Sequence, residues 1–159
     1  MTAISSRPAG AHPRLVLHGI GLVVAVGLAV DAVVHLRLAP GYQLADPAGI
    51  GQGNLFRVEA AVAALVALLV LGTGSRLGYA LAFVVAASAL AAVVLTRYVE
   101  VPAFGPIPSM YEPVWFGQKT VSAVAEGIAA VAALVGVRTA GRRAAGTRTP
   151  FRPRPEVLS

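Results

Sequence analysis

The chain of 159 residues contains no cysteine. This absence excludes disulfide bonds, thiolate metal sites, cysteine nucleophiles and lipid attachment through a thiol. It leaves the redox compartment of the protein undetermined. Any metal or catalytic chemistry therefore depends on histidine, carboxylate and hydroxyl side chains.

Charged residues are also scarce. They make up 13% of the chain, whereas hydrophobic residues make up 57% and the mean hydropathy is +0.74. A soluble domain of this size carries about a quarter charged residues. The composition therefore predicts an all-α integral membrane protein with one compact membrane domain.

Proline is missing from four apolar runs, although the chain contains 11 prolines. A helix of about 20 apolar residues crosses the hydrocarbon core of a bilayer, and proline interrupts helical hydrogen bonding. We therefore expect a transmembrane four-helix bundle over residues 15–137. Its spans are predicted at residues 15–38, 55–71, 77–99 and 118–137.

Polar segments flank and connect these spans. Residues 1–14 are predicted to form a cytoplasmic N-terminal tail, and the basic residues 138–159 a disordered cytoplasmic tail. Residues 39–54 and 101–117 are rich in glycine or proline and are expected to form two longer outer loops. A signal peptide cleaved after Ala32 is the alternative for the first span, but the apolar run continues and is long for a signal peptide.

The positive charge is concentrated on one side of the predicted bundle. With both termini inside, the cytoplasmic side carries nine arginines and one acidic residue, and the outer side carries four basic and six acidic residues. The positive-inside rule then predicts a multi-pass plasma-membrane protein with cytoplasmic N and C termini. Topology thus explains the net charge of +6, and we expect no nucleic-acid partner.

Two ionisable residues interrupt the first span, LVLHGIGLVVAVGLAVDAVVHLRL. Asp31 and His35 are four residues apart and share one helix face, and Gly27 lies one turn earlier, where another helix can approach. Ionisable groups at membrane depth usually face the bundle interior and have partners. We therefore predict a polar cluster in the outer half of the bundle. Its members are Asp31, His35, Glu59, Arg97, Ser122 and Glu126.

One interpretation of this cluster is structural. Its acidic residues would pair with basic residues at similar depth and so define the register and orientation of the helices. The acidic residues are Asp31, Glu59 and Glu126, and the basic residues are His35, Arg57, Arg97 and Lys119.

Two other interpretations give the cluster a function. Asp31, His35, Glu59 and Glu126 are candidate ligands of a divalent metal, because imidazole and carboxylates on neighbouring helices hold zinc, iron or manganese in bundle cores. Alternatively, the cluster forms an outward-opening pocket in which Asp31 and Glu126 contact a small ligand or a transported ion.

The second outer loop contains candidate lid residues. Tyr111, Glu112 and Trp115 are placed to cover an outer pocket, and the adjacent Phe116 is a further candidate for this cap. The alternative for Tyr111, Trp115 and Phe116 is an aromatic belt at the membrane interface.

Motifs of common enzyme classes are missing. The chain contains no HExxH, GxSxG, P-loop or GxGxxG sequence in a suitable context. We therefore expect a protein without enzymatic activity and without a cofactor. The alternative is a small membrane enzyme or metalloprotein.

Several segments carry a resemblance. The pieces DAVVHLRLAP, GNLFRVEAA, RYVEV and GPIPSMYEPVW followed by KTVSAVAE resemble those of small four-span membrane proteins of high-GC bacteria. In size and topology the chain is also similar to DoxX-like proteins, although no DoxX motif matches residue by residue. The resemblance covers residues 15–137. It implies a four-span membrane fold and carries no activity or site residue.

The expected function is small-ligand or ion binding, transport, or an accessory role in a membrane complex. The alternative is a metalloprotein or enzyme that uses Asp31, His35, Glu59 and Glu126. The expected partners are the lipid bilayer and either a second copy of the chain, through Gly27 or alanine-rich faces, or a larger complex.

Overall fold

The computed structural model describes residues 11–45 and 50–146 of the chain. This part folds into four α-helices, and each is long and apolar enough to cross a bilayer. The all-α, four-helix prediction is confirmed. The helices are α1 (Ala11–Ala45), α2 (Gln52–Thr73), α3 (Arg76–Tyr98) and α4 (Gly117–Gly146).

Large apolar side chains cover the outside of the bundle. Leu65, Leu68 and Val131 are 67%, 66% and 66% exposed, and they are typical of many others. A contiguous apolar surface of this kind marks an interaction with lipid or protein. The length of the helices and their apolar outward faces are those of a multi-pass membrane protein.

Helix α1 is the central packing element. It packs extensively against α2 and α4, and α3 packs mainly against α4. Helices α2 and α3 touch each other little, although they are consecutive. Three helix pairs therefore hold the bundle together, and the fourth side, between α2 and α3, is loosely closed.

Small residues form the helix interfaces, as expected where apolar lipid removes the hydrophobic drive for helices to associate. A Cβ atom at Gly27 of α1 would lie 2.9 Å from both the carbonyl oxygen of Ala125 and the Cβ of Ala129 on α4. A Cβ atom at Gly136 of α4 would lie even closer to the ring of Tyr79 on α3. Because α4 of the same chain covers Gly27, this residue is not available for the predicted dimer contact.

A tight turn joins α2 to α3. Gly74 adopts a left-handed conformation with φ 53°, and the Ser75 hydroxyl accepts a hydrogen bond of 3.0 Å from the backbone N–H of Gly78. One turn into α3, the buried Tyr79 hydroxyl donates a 2.6 Å hydrogen bond to the carbonyl oxygen of Leu17. This bond holds α3 against α1 at the end of the bundle that we call the inner end.

The prediction that residues 39–54 form an outer loop is wrong for most of these residues. Helix α1 continues past Leu38 and through Pro40 to Ala45, and α2 begins at Gln52. Proline costs α1 one backbone hydrogen bond, a loss that membrane helices tolerate when neighbouring groups compensate. In the segment beyond the proline, the Gln43 side chain accepts a 3.0 Å hydrogen bond from the N–H of Asn54 on α2.

Both predicted tails are shorter than expected. Helix α4 runs nine residues beyond Val137, to Gly146, so the prediction of disorder is wrong for residues 138–146. This stretch lacks proline and is rich in alanine and arginine, which are strong helix formers. At the other end the helix already begins at Ala11. The remaining parts of the predicted tails, and residues 46–49, lie outside the described residues.

Residues 99–116 connect α3 to α4 across the outer end of the bundle. The segment contains a short antiparallel hairpin with bridges between Val101 and Met110 and between Phe104 and Ile107. Gly105 has φ 56°, as required at the first position of a tight two-residue hairpin turn. The carbonyl oxygen of Pro106 accepts a 3.0 Å hydrogen bond from the N–H of Ile50, which ties the hairpin to the segment before α2.

Replacement of Gly27 by alanine should destabilise the bundle. The added methyl group meets the backbone of α4, and overpacking of this kind costs about 1–3 kcal/mol. Gly19→Ala is the matched control, because a Cβ at Gly19 meets nothing within 4 Å on the same helix. The free energy of unfolding, measured by denaturant titration in detergent, should fall for Gly27→Ala only. Equal stability of the two variants would show that α1 and α4 are not in close contact.

Candidate functional site

Asp31 and His35 form a hydrogen-bonded pair on the inward face of α1. The Nδ1 atom of His35 lies 2.9 Å from Oδ1 of Asp31 and 3.1 Å from the backbone carbonyl oxygen of the same residue. With two acceptors beside it, Nδ1 is the donor, which leaves Nε2 for another partner. The Phe56 ring of α2 packs edge-on to the imidazole at 5.0 Å between centroids and restricts its orientation.

Helix α4 adds a serine and a second carboxylate to this pair. The Ser122 hydroxyl lies 2.7 Å from Oδ1 of Asp31 and 3.0 Å from Oε1 of Glu126. The contact at Gly27, one turn inward from Asp31, brings the two helices close enough for the bond between Ser122 and Asp31. Asp31 and Glu126 are both 0% exposed. We refer to Asp31, His35, Ser122 and Glu126 as the polar network.

The polar network lacks hydrogen-bond donors. A hydroxyl has one proton, so Ser122 can donate to one of its two carboxylates, and the contact with the other needs a further proton or a cation. Among the described side chains, Oδ2 of Asp31, Oε2 of Glu126 and Oε1 of Glu59 are buried without any hydrogen-bond partner. Unpaired buried carboxylate oxygens are costly, so this region favours a positively charged or proton-donating occupant.

The basic residues that were expected to neutralise these acids bind elsewhere. Arg57 donates a 2.7 Å hydrogen bond to Asn54, and the Arg97 guanidinium lies over the ring of Tyr98, 5.6 Å from its centroid. The Lys119 ammonium donates a 2.7 Å hydrogen bond to the carbonyl oxygen of Glu112. Within the part of the chain that the structure describes, the basic side chain that contacts an acid of the cluster is therefore His35, through Asp31. Arg97, which was predicted to belong to the polar cluster, contacts Tyr98 instead.

Three members of the predicted metal set are close together. Asp31, His35 and Glu126 each offer one ligand atom, and these atoms lie within 4.8 Å of one another. Glu59, the fourth predicted ligand, is outside this group. It projects from α2 into the adjoining cavity, which His35 and Ser122 also line.

A cavity of about 410 Å³ adjoins the polar network and reaches the outer end of the bundle. All four helices and the connection between α3 and α4 contribute to its wall. Besides His35, Glu59 and Ser122, the wall includes Tyr42, Phe56, Ala92, Thr96, Met110, Glu112, Phe116 and Lys119. Most of these added residues are apolar or aromatic, so the cavity has a polar floor and a largely apolar body.

Of the three predicted lid residues, Glu112 lines the cavity. Its backbone N–H donates to the carbonyl oxygen of Thr96 at 2.9 Å, and its carboxylate accepts a 2.9 Å hydrogen bond from the Tyr42 hydroxyl. Tyr111 and Trp115 are exposed and do not line the cavity. Met110 and Phe116, their neighbours in the chain, do.

Sequence reasoning missed Tyr42, Phe56 and Met110, whereas it named Phe116 as a candidate cap of the outer pocket. For Tyr42 a signal existed, because the residue continues the helical face that carries Asp31 and His35. The predicted span ends at Leu38, before the proline, and so excludes it. Phe56 and Met110 left no comparable signal, since their positions depend on how α2 and the connection meet α1.

A second cavity of about 210 Å³ lies at the inner end of the bundle, beside the turn between α2 and α3. Leu17, His18, Tyr79 and Arg143 contribute to its wall, and no carboxylate does among the described residues. The inner half thus contains the polar residue His18 but no acidic cluster within the described ranges, as the sequence indicated.

Comparison of the chain with protein-family models, curated proteins and solved structures finds no match. The class of the protein therefore follows from its own fold and site. It is a multi-pass, all-α membrane protein with a buried acidic network that forms a possible metal site.

Removal of the Ser122 hydroxyl should destabilise the protein. Ser122→Ala removes the one hydroxyl proton that lies between the Asp31 and Glu126 carboxylates, and a buried polar group that loses its partner costs about 1–3 kcal/mol. Ser88→Ala is the control, since the Ser88 hydroxyl bonds a carbonyl oxygen of its own helix at 3.0 Å and lies outside the polar network. Thermal unfolding in detergent should separate the two variants. Identical midpoints would contradict the shared hydrogen bond.

Proposed function

We propose that this membrane protein binds a divalent metal ion in the outer half of the bundle, with Asp31, His35 and Glu126 as protein ligands. The observation that carries the proposal is a pair of buried carboxylate oxygens, one on Asp31 and one on Glu126, that have no hydrogen-bond partner. Both residues lie close to the His35 imidazole. Two carboxylates with a neutral imidazole supply two negative charges, which a divalent ion balances. This donor set suits zinc, iron or manganese.

The spacing of the ligand atoms supports one ion. Nitrogen and oxygen ligands surround zinc tetrahedrally at about 2.0–2.2 Å, so two ligand atoms of one ion are about 3.4 Å apart. The three residues offer atoms within 4.8 Å of one another, and a small rotation of one side chain closes the difference. The mutual contacts of Asp31, His35 and Ser122 orient the ligands before an ion arrives.

The charge balance argues against the purely structural interpretation. If ion pairing were the only role, each buried acid would need a basic partner. The basic residues predicted as partners, Arg57, Arg97 and Lys119, contact other groups instead. Buried carboxylates without a counter-charge are strongly destabilising unless they are protonated or bind a cation. A bound metal supplies that counter-charge.

Proton binding is the second candidate function. It is favoured by the Ser122 hydroxyl, whose single proton lies between two carboxylates and is insufficient for both. In that case the network exchanges protons with the outer cavity and serves ion or small-ligand transport. An accessory role in a larger membrane complex, or as a homodimer, is compatible with either occupant.

For the orientation we propose the plasma membrane with cytoplasmic N and C termini. Arginines support this proposal, since Arg76 at the start of α3 lies near Gly141 in the last turns of α4, where Arg138, Arg142 and Arg143 also lie. The buried acids lie toward the opposite end of the bundle. The positive-inside rule places the arginine-rich end in the cytoplasm.

Purified protein should contain or take up a stoichiometric divalent metal. Elemental analysis in detergent, followed by titration of metal-free protein with zinc, manganese and ferrous ions against a chromophoric chelator, measures this. Loss of an outer-shell partner already lowers metal affinity by about 10- to 100-fold, so loss of a direct ligand in Glu126→Gln should exceed that range.

Glu100→Gln is the matched control, because Glu100 is exposed and outside the network. Asp31→Asn serves as a second variant if Glu126→Gln does not fold, as judged by size-exclusion chromatography. Wild-type protein that binds none of the three ions would exclude the metal site and leave proton binding. Equal affinity of wild type, Glu126→Gln and Asp31→Asn would exclude these residues as ligands.

Labelling of single cysteines tests the orientation, since the chain has none of its own. Ser109→Cys lies in the connection at the outer end, and Ser6→Cys lies in the N-terminal segment. In intact cells a membrane-impermeant maleimide should modify Ser109→Cys and should modify Ser6→Cys only after lysis. The reverse pattern would invert the topology.

A further inference from the structure

The outer cavity opens on the loosely closed side of the bundle, between α2 and α3. Val58 of α2 and Ser88 and Ala92 of α3 line the cavity, and Val58 and Ala92 are also exposed on the outside of the bundle. Residues that both line a cavity and face outward lie at its mouth. The two helices make few contacts with each other, which leaves this mouth open.

The mouth lies at membrane depth. Val58 is six residues from the start of α2 and Ser88 is ten residues from the end of α3, so they lie about 9 Å and 15 Å from the outer helix ends. The connection between α3 and α4 covers the outer end through Met110, Glu112 and Phe116. The side of the cavity that remains open therefore faces the acyl chains of the bilayer.

Several polar side chains of the cavity wall take no part in the proposed metal site, and among them Glu59 has an unpaired buried oxygen. The carboxylate of Glu59 lines the cavity, and its Oε1 atom is buried without a hydrogen-bond partner. A carboxylate accepts hydrogen bonds and donates none when ionised. The group that satisfies this oxygen must therefore be a donor, either a hydroxyl or an amine.

We propose that the cavity binds a lipid-soluble molecule that enters from the bilayer between α2 and α3, with a hydroxyl or amine head that donates a hydrogen bond to Glu59. The apolar body of the molecule lies against Phe56, Ala89 and Val93. A volume of about 410 Å³ is within the range of sites for small organic ligands, about 300–1,000 Å³. Tyr42, whose hydroxyl is bound to Glu112, closes the outer end above the head.

This proposal does not depend on the metal. It involves Glu59 and the walls of the cavity, whereas the metal proposal involves Asp31, His35 and Glu126. Experiments on protein kept metal-free with a chelator therefore test the ligand site by itself, and failure of one proposal leaves the other standing.

Photolabelling in vesicles tests the head group. The full chain is reconstituted in phosphatidylcholine vesicles with a chelator and exposed to three probes, a 12-carbon amine, alcohol and carboxylic acid that each carry a diazirine in the chain. Labelled peptides are identified by mass spectrometry. We expect the amine and the alcohol to label the facing sides of α2 and α3 about tenfold more than the acid does, a ratio that corresponds to about 1.4 kcal/mol. Equal labelling by all three probes would overturn the assignment of a donor head.

Two neighbouring alanines test the route. Ala92→Phe fills the mouth, whereas Ala91→Phe places the same side chain at a neighbouring position of α3 that does not line the cavity. Labelling by the amine should fall about tenfold in Ala92→Phe and stay near the wild-type level in Ala91→Phe. Equal labelling of the two variants would overturn access between α2 and α3.

The contact with Glu59 has its own test. Glu59→Gln keeps an acceptor oxygen of similar shape but removes the charge, so labelling by the amine should fall about tenfold while labelling by the alcohol changes little. If Glu59→Gln leaves the preference for the amine over the acid unchanged, Glu59 does not bind the head. If a variant fails to fold, the proposal is still tested by the wild-type protein, which should be labelled more by the amine and the alcohol than by the acid.

Discussion

The arrangement of this bundle depends on the burial of one carboxylate. Asp31 lies in the middle of an apolar helix and is fully buried, so its carboxylate needs hydrogen-bond donors from the few polar side chains nearby. His35 and Ser122 supply them at 2.9 and 2.7 Å. The contact with Ser122 requires α4 to lie close to α1, as it does at Gly27, where any side chain would meet the backbone of α4. The polar network and this close helix contact are therefore one feature.

The uneven packing of the helices creates the cavity. Three helix pairs meet through alanine and glycine, whereas α2 and α3 are joined by a tight turn at the inner end and touch little beyond it. Tyr79 holds the inner end of α3 through its bond to Leu17 and its contact with Gly136. A polar floor at the network and an apolar mouth toward the bilayer follow from this geometry.

Much of the fold is predictable from the sequence because its signals are local. Hydropathy locates four helices, and the constant rise of a helix places Asp31, His35 and Glu126 at similar depth. Local rules fail where other parts of the chain decide the outcome. The proline rule ends α1 before Pro40, yet the helix continues to Ala45. In this added segment Tyr42 is hydrogen-bonded to Glu112, and Gln43 to Asn54. Composition likewise predicts disorder for residues 138–159, yet α4 continues to Gly146.

The sequence by itself determined that the chain forms apolar helices and that acidic residues lie within them, because hydropathy and helical periodicity depend on neighbouring residues only. The tertiary structure alone decided which groups meet. Arg57, Arg97 and Lys119 were reasonable partners for the acids by depth, but in the structure they contact Asn54, Tyr98 and Glu112 instead. Helix rotation and separation are determined by small-residue contacts between distant segments, and these contacts also decide where carboxylate oxygens remain unpaired.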